Sequence, residues 1–219
     1  MNNKLALLAA TTLVAFSSAQ AAVVYGNLGP NGTISISTSG GITLTSSAWR
    51  AIAFTPGGSD LLLSTATIGL SVNAAGSADV RLDLYSNNSG VPGTSLFNTT
   101  QTLSANTVAQ PIDFTLNQTL SSGTTYWIVA QKVSGSGTLT WRPADTSPLV
   151  GPTTQNSSGW TNLGNSTGIS SSNGGVTWGS TGTGASNAIS LNAVPEPGAV
   201  SIAALFATGV LLRRNRRRL

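Results

Sequence analysis

Val80-Arg81-Leu82-Asp83-Leu84-Tyr85 alternates apolar and polar side chains with a period of two. On an extended chain Val80, Leu82 and Leu84 face one way and Arg81, Asp83 and Tyr85 the other, so the segment predicts a strand with one buried and one solvated face. Downstream, Thr125-Tyr126-Trp127-Ile128-Val129-Ala130-Gln131 is rich in aromatic and β-branched residues and reads as a more deeply buried strand. Weaker versions of the pattern place strands at 33–37, 42–45, 48–54, 66–72, 95–103, 112–116, 138–141, 176–178 and 188–192. Between them lie Thr55-Pro56-Gly57-Gly58, Asn87-Asn88-Ser89-Gly90, Val91-Pro92-Gly93 and Ser121-Ser122-Gly123, all suited to tight turns.

No stretch between the two ends has helical periodicity. Many short strands with regular turn signals predict an all-β domain over 22–193, a β-sandwich of jelly-roll-like type. The stretch 151–185 is rich in Gly, Ser, Thr and Asn, which is also the composition of a linker. It carries Trp160 and Trp178, however, and flexible spacers are poor in large aromatics. Long loops with one or two strands completing the sandwich are therefore expected there.

Charged residues are only 7% of the 219, and most of the formal +4 charge sits at one end. From 23 to 194 four basic residues (Arg50, Arg81, Lys132, Arg142) face five acidic ones (Asp60, Asp79, Asp83, Asp113, Asp145). The domain is near neutral, so the high isoelectric point is no sign of nucleic-acid binding, which needs basic residues across a folded face. The chain has no cysteine and no histidine. Disulfides, cysteine nucleophiles, histidine bases and the usual transition-metal sites are thereby excluded.

The two ends read as addresses. Lys4 supplies a positive start, residues 5–16 are mostly apolar, and Ala19-Gln20-Ala21 forms an A-x-A cleavage site. Residues 1–21 thus predict a helical signal peptide removed by signal peptidase after Ala21 or Ala22, and imply export. Twelve helical residues reach about 18 Å, short of a ~30 Å hydrocarbon core, which argues against a permanent anchor.

At the other end Val194-Pro195-Glu196-Pro197-Gly198 is followed by an uncharged run to Leu212, then by Arg213, Arg214, Arg216, Arg217 and Arg218. The run 198–212 predicts a short transmembrane helix of about 22 Å, which snorkelling arginines can extend. The arginines act as a cytoplasmic stop-transfer cluster. The two prolines keep that helix from running back into the domain.

This order, over 194–219, resembles the PEP-CTERM sorting signal of Gram-negative bacteria. Pro195, Glu196 and Pro197 match the family's motif, with Val194 beside it, and the arginines match its basic end. The resemblance implies recognition by exosortase, a membrane-embedded cysteine transpeptidase-like enzyme, cutting near the Pro-Glu-Pro motif and releasing the protein outward. It implies transient residence in the inner membrane and a link to exopolysaccharide and biofilm material. Ala51-Ile52-Ala53-Phe54-Thr55, the Val80–Tyr85 strand, Ser86 to Gly93 and Leu120 to Trp127 are similar to the choice-of-anchor surface domains, type R, over roughly 49–141. That similarity implies a β-sandwich on an exported protein and brings no catalytic residues.

The residues offer little chemistry. Asp79 and Asp83, four apart on one strand face, stand about 13 Å apart, beyond the reach of paired acid/base work in glycosidases. Arg81 between them reads as charge balance on a solvated face. Serines have no histidine to activate them, and a Ser-Lys pair would have to use Lys132, which has no motif around it. Gly135-Ser136-Gly137 lacks the lysine and helix of a phosphate loop. No loop has the acidic spacing of a dedicated Ca²⁺ site, although Asp60 or Asp145 with backbone carbonyls offers oxygen ligands. No metal or cofactor is expected. Six Asn-x-Ser/Thr sequons, at Asn31, Asn87, Asn98, Asn117, Asn156 and Asn165, are a number that so Asn- and Thr-rich a chain reaches by chance.

Of the five tryptophans, Trp160 and Trp178 lie in polar, loop-like sequence and are the candidate sugar contacts, an aromatic face matching the C–H face of a sugar ring; the alternative is core packing. The expectation is a non-enzymatic surface or matrix protein sorted by exosortase. A carbohydrate-binding module is the alternative, and a hydrolase is the third reading, requiring two carboxylates about 5–10 Å apart in a cleft.

Overall fold

A computed structural model describes residues 22–28, 36–57, 61–144, 155–156, 168–180 and 187–195. Among these there is no helix, and eleven strands make one curled antiparallel sheet. The strands are β1 (Ala22–Gly26), β2 (Ile42–Leu44), β3 (Trp49–Phe54), β4 (Leu61–Asn88), β5 (Val91–Leu120), β6 (Tyr126–Ser134), β7 (Thr138–Trp141), β8 (Gln155–Asn156), β9 (Ile169–Ser171), β10 (Gly179–Ser180) and β11 (Ile189–Pro195). The signal peptide at 1–21 and the membrane helix at 198–212 lie outside the described residues, as does most of the strand expected at 33–37, of which Ile36 bridges Ala144.

β4 is the spine of the sheet. One of its edges is taken by β5 alone; the other is taken in turn by β6 (79–86), β7 (70–73) and β11 (61–68). The segments 66–72 and 80–85, expected as two strands, are halves of one, and so are 95–103 and 112–116. The hairpin bends without a turn. From Val72 to Ser77 β4 advances five positions while β5 advances two, from Asn106 to Ser104. From Leu70 to Val72 β5 holds the extra residues, between Gln110 and Asn106. Such bulges kink a strand while keeping its ladder, and here they swing one arm of the hairpin over the other. Gln101 Nε2 on one arm accordingly donates to the Asp113 carbonyl on the other, at 2.5 Å.

The hairpin turn is Ser89-Gly90, with φ of 52° and 89°. Two consecutive positive φ values give the mirror-image turn whose twist matches the flanking strands, and Gly90 adopts it without a Cβ penalty. Val91-Pro92-Gly93, expected as a second turn, instead begins β5, with Val91 opposite Asn88 and Pro92 opposite Asn87. Proline is tolerated there because, among the described residues, no strand pairs with the outer edge of β5.

Because the sheet curls, both arms feed one core. Phe54, Val80, Leu82, Leu84 and Ile128 from one arm pack in a single cluster with Leu63, Ile68, Phe114 and Leu191 from the other. Each such side chain, fully buried, contributes roughly 1.5–3 kcal/mol. β6 is buried over Tyr126–Gln131, as its composition predicts. β1 and β8 complete the edge beyond β11, and β3, β9 and β10 the edge beyond β6. The described residues of the stretch 151–185 thus include three short strands, while Val176 and Thr177, expected to begin a strand, form a bend in which Val176 is 79% exposed.

Candidate functional site

The outward side of the β3–β6–β4 arm gathers the side chains most able to do chemistry. Alternation along β4 turns Arg81, Asp83 and Tyr85 away from the core, as the sequence predicts. On the same side lie Trp127, Val129 and Gln131 of β6 and Trp49, Ala51 and Ala53 of β3. β9, paired with β3, adds Ile169, and the chain after it adds Trp178.

One end of this face is polar. Asp83, expected on a solvated face, has no exposed surface. Arg81 donates to it through Nε, at 3.1 and 3.0 Å to its two oxygens, and through Nη2 at 2.6 Å. Ser95 Oγ adds a bond at 3.1 Å and Gln131 Nε2 one at 3.2 Å. The burial arises because β5 and β6 flank β4 and each contributes a donor. Arg81 keeps 35% of its side chain in solvent. Its guanidinium is held above its usual pKa by the bond to Asp83. Tyr85, next along the strand, is pushed up by burial and by the nearby Asp83 charge.

The other end is aromatic. Trp49 and Trp178 are both half-buried, with ring centroids 6.5 Å apart and planes tilted by 59°. Gly175, at φ +83°, lies under the Trp49 ring so closely that a Cβ there would be 2.5 Å from Cζ3. That approach is held by a mesh of short bonds. Ser171 Oγ accepts from the Gly175 N–H at 2.8 Å, Asn173 Oδ1 accepts from the Thr177 N–H at 2.9 Å, and the Gly174 N–H donates to the Ser47 carbonyl at 2.8 Å. The Ser-, Asn- and Gly-rich composition builds this loop. Trp127 is buried, its Nε1 donating to Asn87 Oδ1 at 3.0 Å.

Two further features lie elsewhere. Arg50, buried in β3, donates from Nε to Asn187 Oδ1 at 2.8 Å, and burial pulls its pKa down to about 10. Asn187 Nδ2 donates to the Trp141 carbonyl at 3.3 Å, and Asn27 ties the start of β11, donating to the Asn187 carbonyl and accepting from the Ile189 N–H. At the bend of the hairpin, a cleft of about 260 Å³ is walled by Leu70, Val72, Leu103 and Ile112, with Ser104 and Asn106 at its polar side. None of its described lining residues is ionisable.

Of the residues singled out from sequence, Val194 and Pro195 belong to β11, opposite Leu62 and Leu61 of β4. Trp178 is described, and its role includes packing on Trp49. Ala19, Ala21, Trp160, Glu196, Pro197 and the arginines from Arg213 to Arg218 lie outside the described residues, as do Asp60 and Asp145. Among the described residues no three acidic side chains come together to hold a metal. Sequence reasoning missed Trp49 as the partner of Trp178. It also missed the Arg50–Asn187–Asn27 network, whose one visible sign is a charge inside the apolar run 48–54. Comparison of the chain with protein-family models, curated proteins and solved structures finds no match.

Proposed function

We propose that this chain is an exported, non-enzymatic surface or extracellular-matrix protein, a jelly-roll-like β-sandwich that exosortase sorts and cuts near Pro195-Glu196-Pro197. The observation that carries the reading is the order of the C-terminal sequence: Val-Pro-Glu-Pro-Gly, a short uncharged run, then five arginines within seven residues. Two structural facts support it. The described residues of β1, Ala22–Gly26, all follow Ala21, so removal of 1–21 spares them. β1 and β11 are antiparallel with Ala22 opposite Ala193, so both addresses leave from one pole of the domain. On this reading that pole faces the inner membrane until the tail is cut, and the freed domain passes to the cell surface or to exopolysaccharide and biofilm material.

Among the described carboxylates, the buried Asp83 is the one whose surroundings support a non-catalytic role. Asp83 is saturated by Arg81, Ser95 and Gln131; Asp79 accepts from Thr102 and Ser134; Asp113 accepts from Thr67. A general acid or base needs a carboxyl free to meet a substrate.

The test is the intact mass of the protein recovered from culture medium and membranes of its native host. A species from about Ala22 to the Pro195–Pro197 region, without the arginines, supports the reading. Retention of Arg213 to Leu219 in every fraction overturns it.

The carbohydrate-binding alternative draws on one observation, the half-exposed Trp178 beside Trp49 at the rim of a polar face. It requires that Trp178→Ala weaken retention on the host's own polysaccharide at least tenfold without changing the unfolding midpoint. Unchanged retention removes it.

A further inference from the structure

β5 gives its inner edge to β4 along its whole length, and among the described residues no strand pairs with its outer edge. A long open edge is a template for another strand, and proteins ordinarily blunt it with lysines, prolines or bulges. Here the blunting devices are missing from one stretch, 97–104, which lies between two bulged ends. Between Gly93 and Gln110 there is no charged residue and no proline. Phe97 to Ser104 pairs with Leu84 to Ser77 through eight consecutive register positions without a bulge. Asn98, Thr100, Thr102 and Ser104 are exposed, and Leu96, at the start of the run, is 49% exposed.

We infer that this arm of β5 is a self-association edge whose occupant is the same strand of a second copy, antiparallel about a two-fold axis at Thr100. Directly opposite residues in an antiparallel pair share a face, so the axis must pass through a residue for outward side chains to meet outward ones. An axis at Thr100 sets Phe97 against Leu103 of the second copy. Both already pack on the core cluster of their own chain, so the pairing extends that apolar layer. On the outward side it sets Thr100 against Thr100 and Asn98 against Thr102, pairs that suit cross-strand hydrogen bonding. An axis one residue either way loses the Phe97–Leu103 match.

Electrostatics permits it. The nearest charges, Asp79, Arg81 and Asp83, lie one strand inward, opposite Thr102, Thr100 and Asn98. Across the joined sheets they are three strand spacings, about 14 Å, from their counterparts, beyond a screening length of about 10 Å at 0.1 M salt. A two-fold edge pair is closed, so it consumes the edge instead of propagating. The contact is small, so the dimer is a weak one, dissociating on the order of micromolar or above.

The absence of natural cysteine makes the test direct. The full chain is expressed in an exporting bacterial host, extracted in mild detergent and mildly oxidised as Thr100→Cys and, separately, Ser104→Cys. Residues facing each other across the axis have Cα atoms about 4.5–5.5 Å apart, within disulfide reach, whereas copies of position 104 are about 26 Å apart. The expected result is a disulfide dimer for Thr100→Cys only. Sedimentation velocity should also show a monomer–dimer equilibrium whose Kd rises at least tenfold in Thr100→Lys and holds in Thr100→Ser. A monomer at all concentrations, equal cross-linking at both positions, or a dimer indifferent to Thr100→Lys each overturns the inference. None of these outcomes depends on whether the tail is a sorting signal.

Discussion

Removing either member of the Arg81–Asp83 pair tests which partner carries the burial. Asp83 has no exposed surface, while Arg81 keeps 35% of its side chain in solvent. In Arg81→Ala a carboxylate stays buried with only Ser95 and Gln131 donating to it. Stranding a buried charge costs about 3–5 kcal/mol. In Asp83→Ala the residue left behind is a guanidinium already in contact with water, free to turn outward. The loss is then the charged hydrogen bonds plus two neutral donors, about 1–3 kcal/mol. The expected order is therefore Arg81→Ala worse than Asp83→Ala by about 2 kcal/mol, near thirty-fold in the folding equilibrium.

Urea unfolding followed by tryptophan fluorescence reads this directly, with the m-value unchanged if only the native state is affected. The pair Arg81→Met with Asp83→Leu should recover most of the loss, since apolar replacements of a buried ion pair are often neutral or better. If Asp83→Ala costs as much as Arg81→Ala, or both cost under about 1 kcal/mol, the burial argument fails.

Three other perturbations follow from the geometry. Asn187→Ala strips one partner from Arg50 and one donor from the Trp141 carbonyl, both buried, and should cost about 2–3 kcal/mol in the same unfolding assay; a loss below 0.5 kcal/mol would mean water replaces both contacts. Gly175→Ala combines a positive φ with a 2.5 Å clash against Trp49 and should cost about 1–3 kcal/mol, with a shift in tryptophan emission as the ring is displaced; unchanged emission would place Trp49 elsewhere. The Asp79 carboxyl is held below the usual carboxylate range by hydrogen bonds from Ser134 first and Thr102 second. A lowered native pKa makes its contribution complete above the unfolded value of about 3.9 and lost as pH falls through the native one. The difference in urea midpoint between wild type and Asp79→Asn should therefore be present at neutral pH and shrink below about pH 4; a constant offset would refute the hydrogen-bonded assignment.

Period-two alternation made the strands legible but not their lengths. A strand ends in sequence where a turn signal appears, and 73–76 and 104–110 carry no strong one. There the chain changes arm through bulges, which are defined only by the register of the partner strand. The opposite error occurs at Pro92. Asn87 to Gly93 holds turn residues for two turns, but Ser89-Gly90 alone closes the hairpin, and Pro92 survives inside β5 because no described strand pairs with its outer edge.

The burial of Asp83 was illegible for a related reason. Alternation correctly turns it away from the core, and in a sheet with one covered face that would leave it in water. Its surroundings are instead built by Ser95, on the returning strand of the hairpin, and by Gln131, forty-eight positions along the chain. At the aromatic end the cover comes from further still: the loop after Ser171 folds Gly175 onto Trp49 and sets Trp178 beside it. A composition that matches a flexible spacer becomes ordered there because the Ser171 and Asn173 side chains bond the backbone within four residues. Trp178 therefore serves the fold before it serves any ligand, and a sugar contact through it must use whatever part of the ring Trp49 leaves open. Loss of retention in Trp178→Ala then counts for binding only if the unfolding midpoint stays where it was.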